Sequence, residues 1–264
     1  MRAQQEDHFD FSARPVGDGV FQLTAPPKRF RQYLVCGGER ALLIDTGFGL
    51  GSLRDTLAPL TALPLVLANT HGHPDHGGGN AEFGAPLLHE ADFALYAAAC
   101  TLEARRAELE QWGLGSRAAA LQPTPPAPLP LADGAVLDLG GRRLTAIHTP
   151  GHTRGSVCFF EAETGLLFAG DNLNGMQTML TEHWAAPLAD YIASLRRLAA
   201  LPVRAVWTGH DAGALPPDII ERKLRCALAL AEGAGEAARD RAGNPVLRAE
   251  SGGTAVCCAA EKLK

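Results

Sequence analysis

The 264-residue sequence lacks the features that would point to a membrane or to secretion. No stretch approaches the roughly 20 consecutive apolar residues that a membrane-spanning helix needs. The polar N-terminus, MRAQQEDHFDFSARPVG, also lacks the apolar segment of a signal peptide. We therefore expect a cytoplasmic protein that makes no contact with a membrane.

A long run of Lys or Arg is also missing. The formal net charge is −5, from 24 basic and 29 acidic residues. Because nucleic-acid backbones are bound mainly by clusters of basic side chains, we expect no nucleic-acid partner. We expect a small-molecule substrate instead, and a homodimer is compatible with the sequence, which leaves the oligomeric state open.

Cysteine pairs with the spacing C-x-x-C are absent. The sequence contains six scattered cysteines, namely Cys36, Cys100, Cys158, Cys226, Cys257 and Cys258. This pattern favours reduced thiols over a framework of disulfides. For the adjacent Cys257 and Cys258 we favour packing within a strand over a vicinal redox pair.

What the sequence does contain is an alternation of β-type and helical segments. GVFQLTA, RQYLVCGG and ALLIDTG predict an antiparallel meander, and LPLVLANT predicts a buried strand. Further β-type runs lie between residues 135 and 171 and around RAVWTGHD, and the chain closes on a predicted hairpin around residues 251–253. PLADYIASLRRLAAL and PDIIERKLRCALALAEG have the apolar spacing of amphipathic helices.

Residues 91–130 interrupt this alternation. Residues 91–112 are rich in Ala, Leu, Glu and Arg and predict one or two helices, whereas five prolines between Pro123 and Pro130 predict an extended connector without regular structure. Because β-type segments resume immediately, we interpret residues 1–264 as one domain with an insertion at 91–130. That insertion could form a cap over a site, or it could be an outer layer of helix.

The stretch NTHGHPDHGGGN places three histidines and an aspartate within six positions. In an extended segment alternate side chains point the same way, so His71 and His73 can reach one metal ion together. Asp75 and His76 are displaced to the other side as the chain turns through Pro74, so one loop can begin two adjacent metal sites. Imidazole suits Zn, Fe, Cu or Ni, and a carboxylate among imidazoles favours a borderline metal.

HGHPDHGGG resembles the H-x-H-x-D-H signature of the metallo-β-lactamase superfamily. The later ligands of that family also occur in its order: TPGHT contains His152, LLFAGD contains Asp171 and VWTGH contains His210, each at the end of a β-type run. The resemblance covers roughly residues 16–215. It implies an α+β fold, a four-layer αββα sandwich of two mixed β-sheets flanked by helices, with metals at one edge between the sheets.

Carried over by position, the resemblance implies a site for two divalent metal ions, most readily Zn, with Fe or Mn as alternatives. His71, His73 and His152 would hold the first ion, Asp75, His76 and His210 the second, and Asp171 would bridge them. Asp45, in LLIDTG, would support the site from behind the ligands. His183 and Trp184 follow Asp171 in the chain and are candidates for contact with a substrate.

The implied reaction is hydrolysis of a small activated acyl compound, such as a thioester, a lactone or a related ester. A hydroxide shared by the two metals would attack the carbonyl, and Asp75 would orient it and shuttle its proton. Common β-lactamases have a cysteine where this chain has Asp171, so antibiotic hydrolysis is disfavoured. The ligand set is similar to that of glyoxalase II and acyl-homoserine lactonases, although DNLNGMQ lacks the tyrosine of the lactonases.

Two other reactions stay open. An iron-dependent sulfur (persulfide) dioxygenase uses the same scaffold but would retain only the first metal site. A phosphodiesterase acting on a small molecule is compatible with H-x-H-x-D-H, whereas the acidic charge balance argues against a nuclease.

Overall fold

Two β-sheets face each other at the centre of the molecule, and helices cover their outer faces. In the computed structural model, which describes residues 11–26, 30–240 and 242–263, the strands form sheets of seven, five and four members. The first sheet consists, in spatial order, of β1 (Ser12–Gly17), β2 (Val20–Ala25), β3 (Phe30–Cys36), β4 (Ala41–Ile44), β5 (Leu65–Ala68), β6 (Leu87–Leu88) and β7 (Leu129–Pro130).

The second sheet and a smaller third sheet are built from the later part of the chain. The second consists of β13 (Ala205–Trp207), β11 (Leu166–Phe168), β10 (Val157–Glu161), β9 (Arg143–His148) and β8 (Val136–Asp138). The third consists of β12 (Gln177–Leu180), β16 (Thr254–Cys258), β15 (Pro245–Ser251) and β14 (Glu236–Arg239). The helices are α1 (Leu53–Leu57), α2 (Pro74–Gly77), α3 (Phe93–Ala99), α4 (Leu102–Gln111), α5 (Leu188–Ala199) and α6 (Ile219–Ala231).

The alternation of side chains along the strands produces the layers. On β4, Leu42 and Ile44 point into the core between the first two sheets, whereas Leu43 points outward to pack with Leu53 and Leu57 of α1. Outward side chains of the second sheet pack against α5, α6 and the third sheet. Since successive residues of a strand face opposite sides, both faces of each central sheet are buried, and the expected αββα sandwich is confirmed.

The predicted meander is confirmed, because β2, β3 and β4 pair antiparallel in sequence order, and β1, which was not predicted, extends it by one strand. The closing hairpin of β15 and β16 is confirmed as well. The prediction that the proline-rich segment has no regular structure was wrong at its end. There, Leu129 and Pro130 add a short strand parallel to β6. An edge position tolerates a proline because the missing N–H is not needed by a further strand.

The cysteines agree with the expectation of reduced thiols. All six cysteines are free thiols, and Cys257 and Cys258 pack as buried residues within β16, as expected.

Within the described part of the chain, no helix combines the length and the apolar character needed to cross a bilayer.

Candidate metal centre

The ligand-type side chains lie at the ends of strands from both central sheets. The H-x-H-x-D-H segment directly follows β5 and turns into α2. The later candidates follow β9, β11 and β13, which are strands of the second sheet. The edge between the two sheets is therefore where residues far apart in the sequence meet.

His71, His73 and His152 form a first group of ligand atoms. The Nδ1 atom of His73 lies 3.1 Å from Nε2 of His71 and 3.1 Å from Nε2 of His152. Three imidazole nitrogens that converge in this way repel one another unless a proton or a cation lies between them, because their lone pairs face each other. The group has the nitrogen ligands that a transition metal accepts.

Asp75, His76 and His210 form a second group. The Oδ2 atom of Asp75 lies 3.5 Å from Nε2 of His210 and 3.8 Å from Nε2 of His76. Asp171 lies between the two groups: its Oδ2 is 2.9 Å from Nε2 of His210 and 3.8 Å from Nε2 of His152. The carboxylate of Asp171 thus lies within reach of both groups.

The buried atoms of this cluster fit bound cations. Among the described residues, Nε2 of His76 and Oδ1 of Asp171 are buried and accept or donate no hydrogen bond, although they lie only 3.3 Å apart. Burial of polar atoms without partners is costly, and coordination of a cation would satisfy both. The mixture of imidazole and carboxylate suits zinc, iron or manganese.

Electrostatics lead to the same conclusion. Burial, together with the neighbouring His76 and His73, holds the pKa of His71 well below its ordinary value, so this imidazole stays neutral and able to ligate. Burial also acts to lower the pKa of His76, but the carboxylates of Asp75, Asp45 and Asp171 outweigh it and raise that pKa well above its ordinary value. The second group therefore attracts positive charge, as a cation site must.

Asp45 supports His76 from behind, and its backbone is held in a conformation that few residues adopt. Its φ is 62°, in the left-handed region, directly after β4. From there the carboxylate accepts a hydrogen bond from the backbone N–H of Thr70 at 2.8 Å and lies 2.8 Å from Nδ1 of His76. Strained backbone of this kind persists where the surrounding contacts hold it in place, and here it aims a carboxylate at a candidate ligand.

The other histidines of the cluster have partners on their outer nitrogens as well. Nδ1 of His152 lies 2.9 Å from the carbonyl oxygen of Met179, and Nε2 of His73 lies 3.2 Å from Oε2 of Glu182. The hydrogen bond with His73 lowers the pKa of Glu182 to about 2. Such partners fix the tautomer and the orientation of an imidazole, so that its other nitrogen is free to bind a metal.

Asp92 was not expected from the sequence, yet it ties together the two loops that contain the first group. One carboxylate oxygen accepts hydrogen bonds from the Gly72 N–H at 2.8 Å and from the Thr153 hydroxyl at 2.7 Å, and the other accepts from the Gly155 N–H at 2.7 Å. Gly72 and Thr153 each adjoin candidate ligands. Asp92 stands at the N-cap position of α3 and has the appearance in the sequence of an ordinary helix cap, so no signal distinguished this residue.

Glu182 was also missed, although its neighbours were named. The side chain of His183 is exposed, and the rings of His183 and Trp184 contact each other with centroids 4.2 Å apart. Glu182 is the side chain of this segment that contacts the cluster, through His73. Contact of His183 or Trp184 with a substrate stays a prediction.

Gly78, one of the glycines after the histidines, allows close packing beneath the candidate centre. A Cβ atom on Gly78 would lie 2.5 Å from the carbonyl oxygens of Phe48 and Pro74, which is closer than real Cβ contacts allow. The missing side chain therefore lets α2 pack directly against the loop after β4.

Comparison with known proteins extends these observations. The family model of the metallo-beta-lactamase superfamily matches residues 32–210, which include every candidate ligand. The acyl-coenzyme A thioesterase MBLAC2 of Gallus gallus is 33% identical over 229 residues, covering 76% of this chain and 80% of its own length.

Solved structures show the same similarity. The metallo-beta-lactamase family protein TTHA1429 from Thermus thermophilus is 28% identical, with a TM-score of 0.61, and the alignment covers 83% of this chain and 82% of that one. TTHA1623, whose structure was determined in a di-iron-bound form, is 31% identical with a TM-score of 0.60 over 76% of this chain and 97% of that one.

Proposed function

The chain belongs to the metallo-β-lactamase superfamily and is a hydrolase of that superfamily, and from this premise we propose that it cleaves the thioester bond of a small acyl compound. The observation that carries the proposal is the convergence of two groups of ligand atoms on Asp171. The similarity to an acyl-coenzyme A thioesterase supports the thioester among the acyl compounds considered.

We assign the ligands as the sequence resemblance implies. His71, His73 and His152 would hold one divalent ion, and Asp75, His76 and His210 would hold the second, with Asp171 between them. When bound, the two cations supply Lewis acidity toward the carbonyl oxygen and lower the pKa of water from about 15.7 toward neutrality. We take zinc as the first candidate, with iron and manganese as alternatives that the donor set also suits; the similar protein TTHA1623 has a di-iron-bound form.

Asp75 has the position of a proton acceptor in this reaction. Its side chain is partly exposed, whereas Asp171 and His76 are nearly buried, so Asp75 can meet a water molecule that enters from the solvent. The carboxylate of Asp75 would take the proton of that water as the oxygen adds to the carbonyl carbon. The carbon–sulfur bond then breaks, and the products are a carboxylic acid and a thiol.

The leaving group of a thioester is a thiol, which can depart without a general acid to protonate it. A thiol has a pKa near 8.5, so it departs as a thiolate without first receiving a proton. A lactone or an ordinary ester releases a much more basic alkoxide and benefits from a proton donor. A thioester therefore makes a smaller demand on a proton donor than a lactone does.

Metal content and substrate class can be tested on one preparation of the full chain. Elemental analysis of protein purified without added metal would be followed by assays with an acyl-coenzyme A, a homoserine lactone and a chromogenic phosphodiester. We expect about two metal ions per chain and release of thiol from the acyl-coenzyme A. About one iron ion per chain, with oxygen consumed in the presence of a persulfide and no thiol released, would contradict the proposal and favour the dioxygenase.

Replacement of Asp171 tests the assignment of the ligands. Asp171→Asn keeps the size of the side chain but removes its charge, and we expect a loss of about 100-fold or more in kcat/KM together with a lower metal content. Asp190→Asn, at an exposed aspartate in the first turn of α5, is the matched control and should leave both quantities unchanged. Full activity of Asp171→Asn would rule out its place between the metals.

A further inference from the structure

A row of aromatic rings leads from the candidate metal centre to the surface. The ring of Phe30 lies edge-on to the imidazole of His210, with centroids 5.8 Å apart. Trp112, which directly follows α4, lies 6.0 Å from Phe30 and 4.8 Å from Phe48. One end of the row thus touches a candidate ligand, and the other end is Trp112.

Burial along the row is uneven. Phe30 and Phe48 are buried in a small apolar cluster with Ala25, Leu50 and Leu109, whereas 39% of Trp112 is exposed. A tryptophan is among the side chains with the most apolar area to bury. Trp112 therefore offers solvent a rigid apolar face whose back is held in place by the two phenylalanines.

The face of α4 that carries Trp112 is turned toward the candidate centre. Glu108 precedes Trp112 by four residues, and residues spaced by four lie on one side of a helix. Glu108 interacts electrostatically with Asp75, His73 and Glu182, which belong to the centre or contact it.

We infer that Trp112, supported by Phe30 and Phe48, forms the wall that receives the hydrocarbon chain of the acyl group; this inference rests on the proposed thioesterase function. The row begins beside His210, so it can meet either of the two groups attached to the reacting carbonyl, the hydrocarbon chain or the thiol arm. The hydrocarbon chain suits an aromatic wall better than the thiol arm does, because that arm contains amides and ends in phosphates.

The consequence is a preference for longer acyl chains. Each methylene that leaves water for an apolar contact improves binding by about fourfold. The ring of Trp112 is large enough to contact several methylenes of an octanoyl or dodecanoyl chain. An acetyl group has no methylene and offers only its methyl for contact. Wild-type protein is therefore expected to have a kcat/KM that rises from acetyl-coenzyme A to octanoyl-coenzyme A.

The test compares acetyl-, butyryl-, octanoyl- and dodecanoyl-coenzyme A as substrates of the full, metal-loaded chain. For Trp112→Ala we expect kcat/KM to fall by about tenfold or more with the two longer chains and by less than about twofold with acetyl. Trp112→Phe should lie between wild type and Trp112→Ala. Val136→Ala, which shortens an exposed apolar side chain on the edge strand β8 of the second sheet, should keep the wild-type profile.

The test distinguishes failure of the Trp112 wall from failure of the proposed thioesterase function. Equal loss with every chain length, or an unchanged profile for Trp112→Ala with unchanged metal content, would overturn the wall while leaving the thioesterase function intact. No release of thiol from any substrate by wild type would overturn the proposed function and the wall with it. If Trp112→Ala does not fold, Trp112→Gln removes the same aromatic face with a longer side chain and is judged by the same profile.

Discussion

Lys223 is a fully buried lysine on α6, far from the candidate metal ligands in the sequence. Its Nζ atom donates a hydrogen bond of 2.9 Å to the carbonyl oxygen of Ala255 on β16. Burial lowers the pKa of this side chain from its ordinary value of 10.5 to about 7. The pKa is lowered because the charged ammonium loses its hydration inside the protein.

The direction of the pH dependence follows from this pKa. Between about pH 7 and pH 10.5 the unfolded chain holds the Lys223 proton and the folded chain does not, so the free energy of unfolding falls as pH falls. Lys223→Met should therefore be more stable than wild type by about 1 to 4 kcal/mol at pH 7, and the difference should shrink toward pH 10.5. Denaturant unfolding at several pH values measures both quantities.

A second variant on the same helix provides the control. Arg225 is exposed and donates a hydrogen bond to the Ser251 hydroxyl, so Arg225→Met should change the free energy of unfolding by less than about 0.5 kcal/mol. A Lys223→Met variant with the stability and the pH slope of wild type would mean that the ammonium is not desolvated in the folded protein.

Single residues also show how far the candidate site could be predicted. The histidines and aspartates of the centre were predictable because each belongs to a short motif that ends a β-type run. Asp92 and Glu182 were not, because a lone acidic residue in a loop has no spacing that sets it apart. Their contacts with Gly72 and His73 arise only when loops distant in the sequence meet.

At the scale of elements, α4 is held in place by Arg105. Its buried guanidinium donates hydrogen bonds to the carbonyl oxygens of Cys100, Phe48, Gln122 and Pro123, at distances between 2.8 and 3.2 Å. One side chain thus joins α4 to the loop after β4 and to the start of the proline-rich segment. This explains how residues 91–130, which have little apolar core of their own, keep a defined position.

Arg105→Leu should loosen this element. The four carbonyl oxygens would lose their donor in a buried place, and we expect a loss of about 3 kcal/mol in the free energy of unfolding. Hydrogen exchange should then be faster in α4 and in the segment after it than in β9 or β10. Arg106→Leu, at the exposed neighbouring arginine, is the control, and equal effects of the two variants would contradict the anchoring role.

β14 and β12 are two of the strands that escaped prediction, for different physical reasons. β14 has the sequence EAAR, which favours a helix, yet it pairs with β15 at the edge of the third sheet. Tertiary pairing overrides a local preference of a fraction of a kcal/mol per residue. β12 is a short strand whose parallel partner, β16, lies almost 80 residues later in the chain, so its pairing cannot be seen in a local window.

At the scale of the whole molecule, the candidate ligands come from both central sheets. His71, His73, Asp75 and His76 follow a strand of the first sheet, whereas His152, Asp171 and His210 follow strands of the second. The fold was predictable at this scale because the ligand motifs, each at the end of a β-type run, resemble those of the metallo-β-lactamase superfamily, and that resemblance implies the αββα sandwich. Cations held between the two sets would join the two sheets at one edge.

Removal of the metals should therefore destabilise the entire fold. A ligand present at about 100 times its Kd stabilises the folded state by about 2.7 kcal/mol, which corresponds to about 5 to 10 °C in Tm for a domain of this size. We expect a chelator to lower the Tm of wild type by this amount and added zinc to restore it. Asp171→Asn should respond less to both treatments, because it lacks the charge between the two groups. Thermal unfolding at fixed protein concentration and pH makes the comparison, and a Tm that the chelator leaves unchanged while it strips the metal would show that the cations do not hold the sheets together.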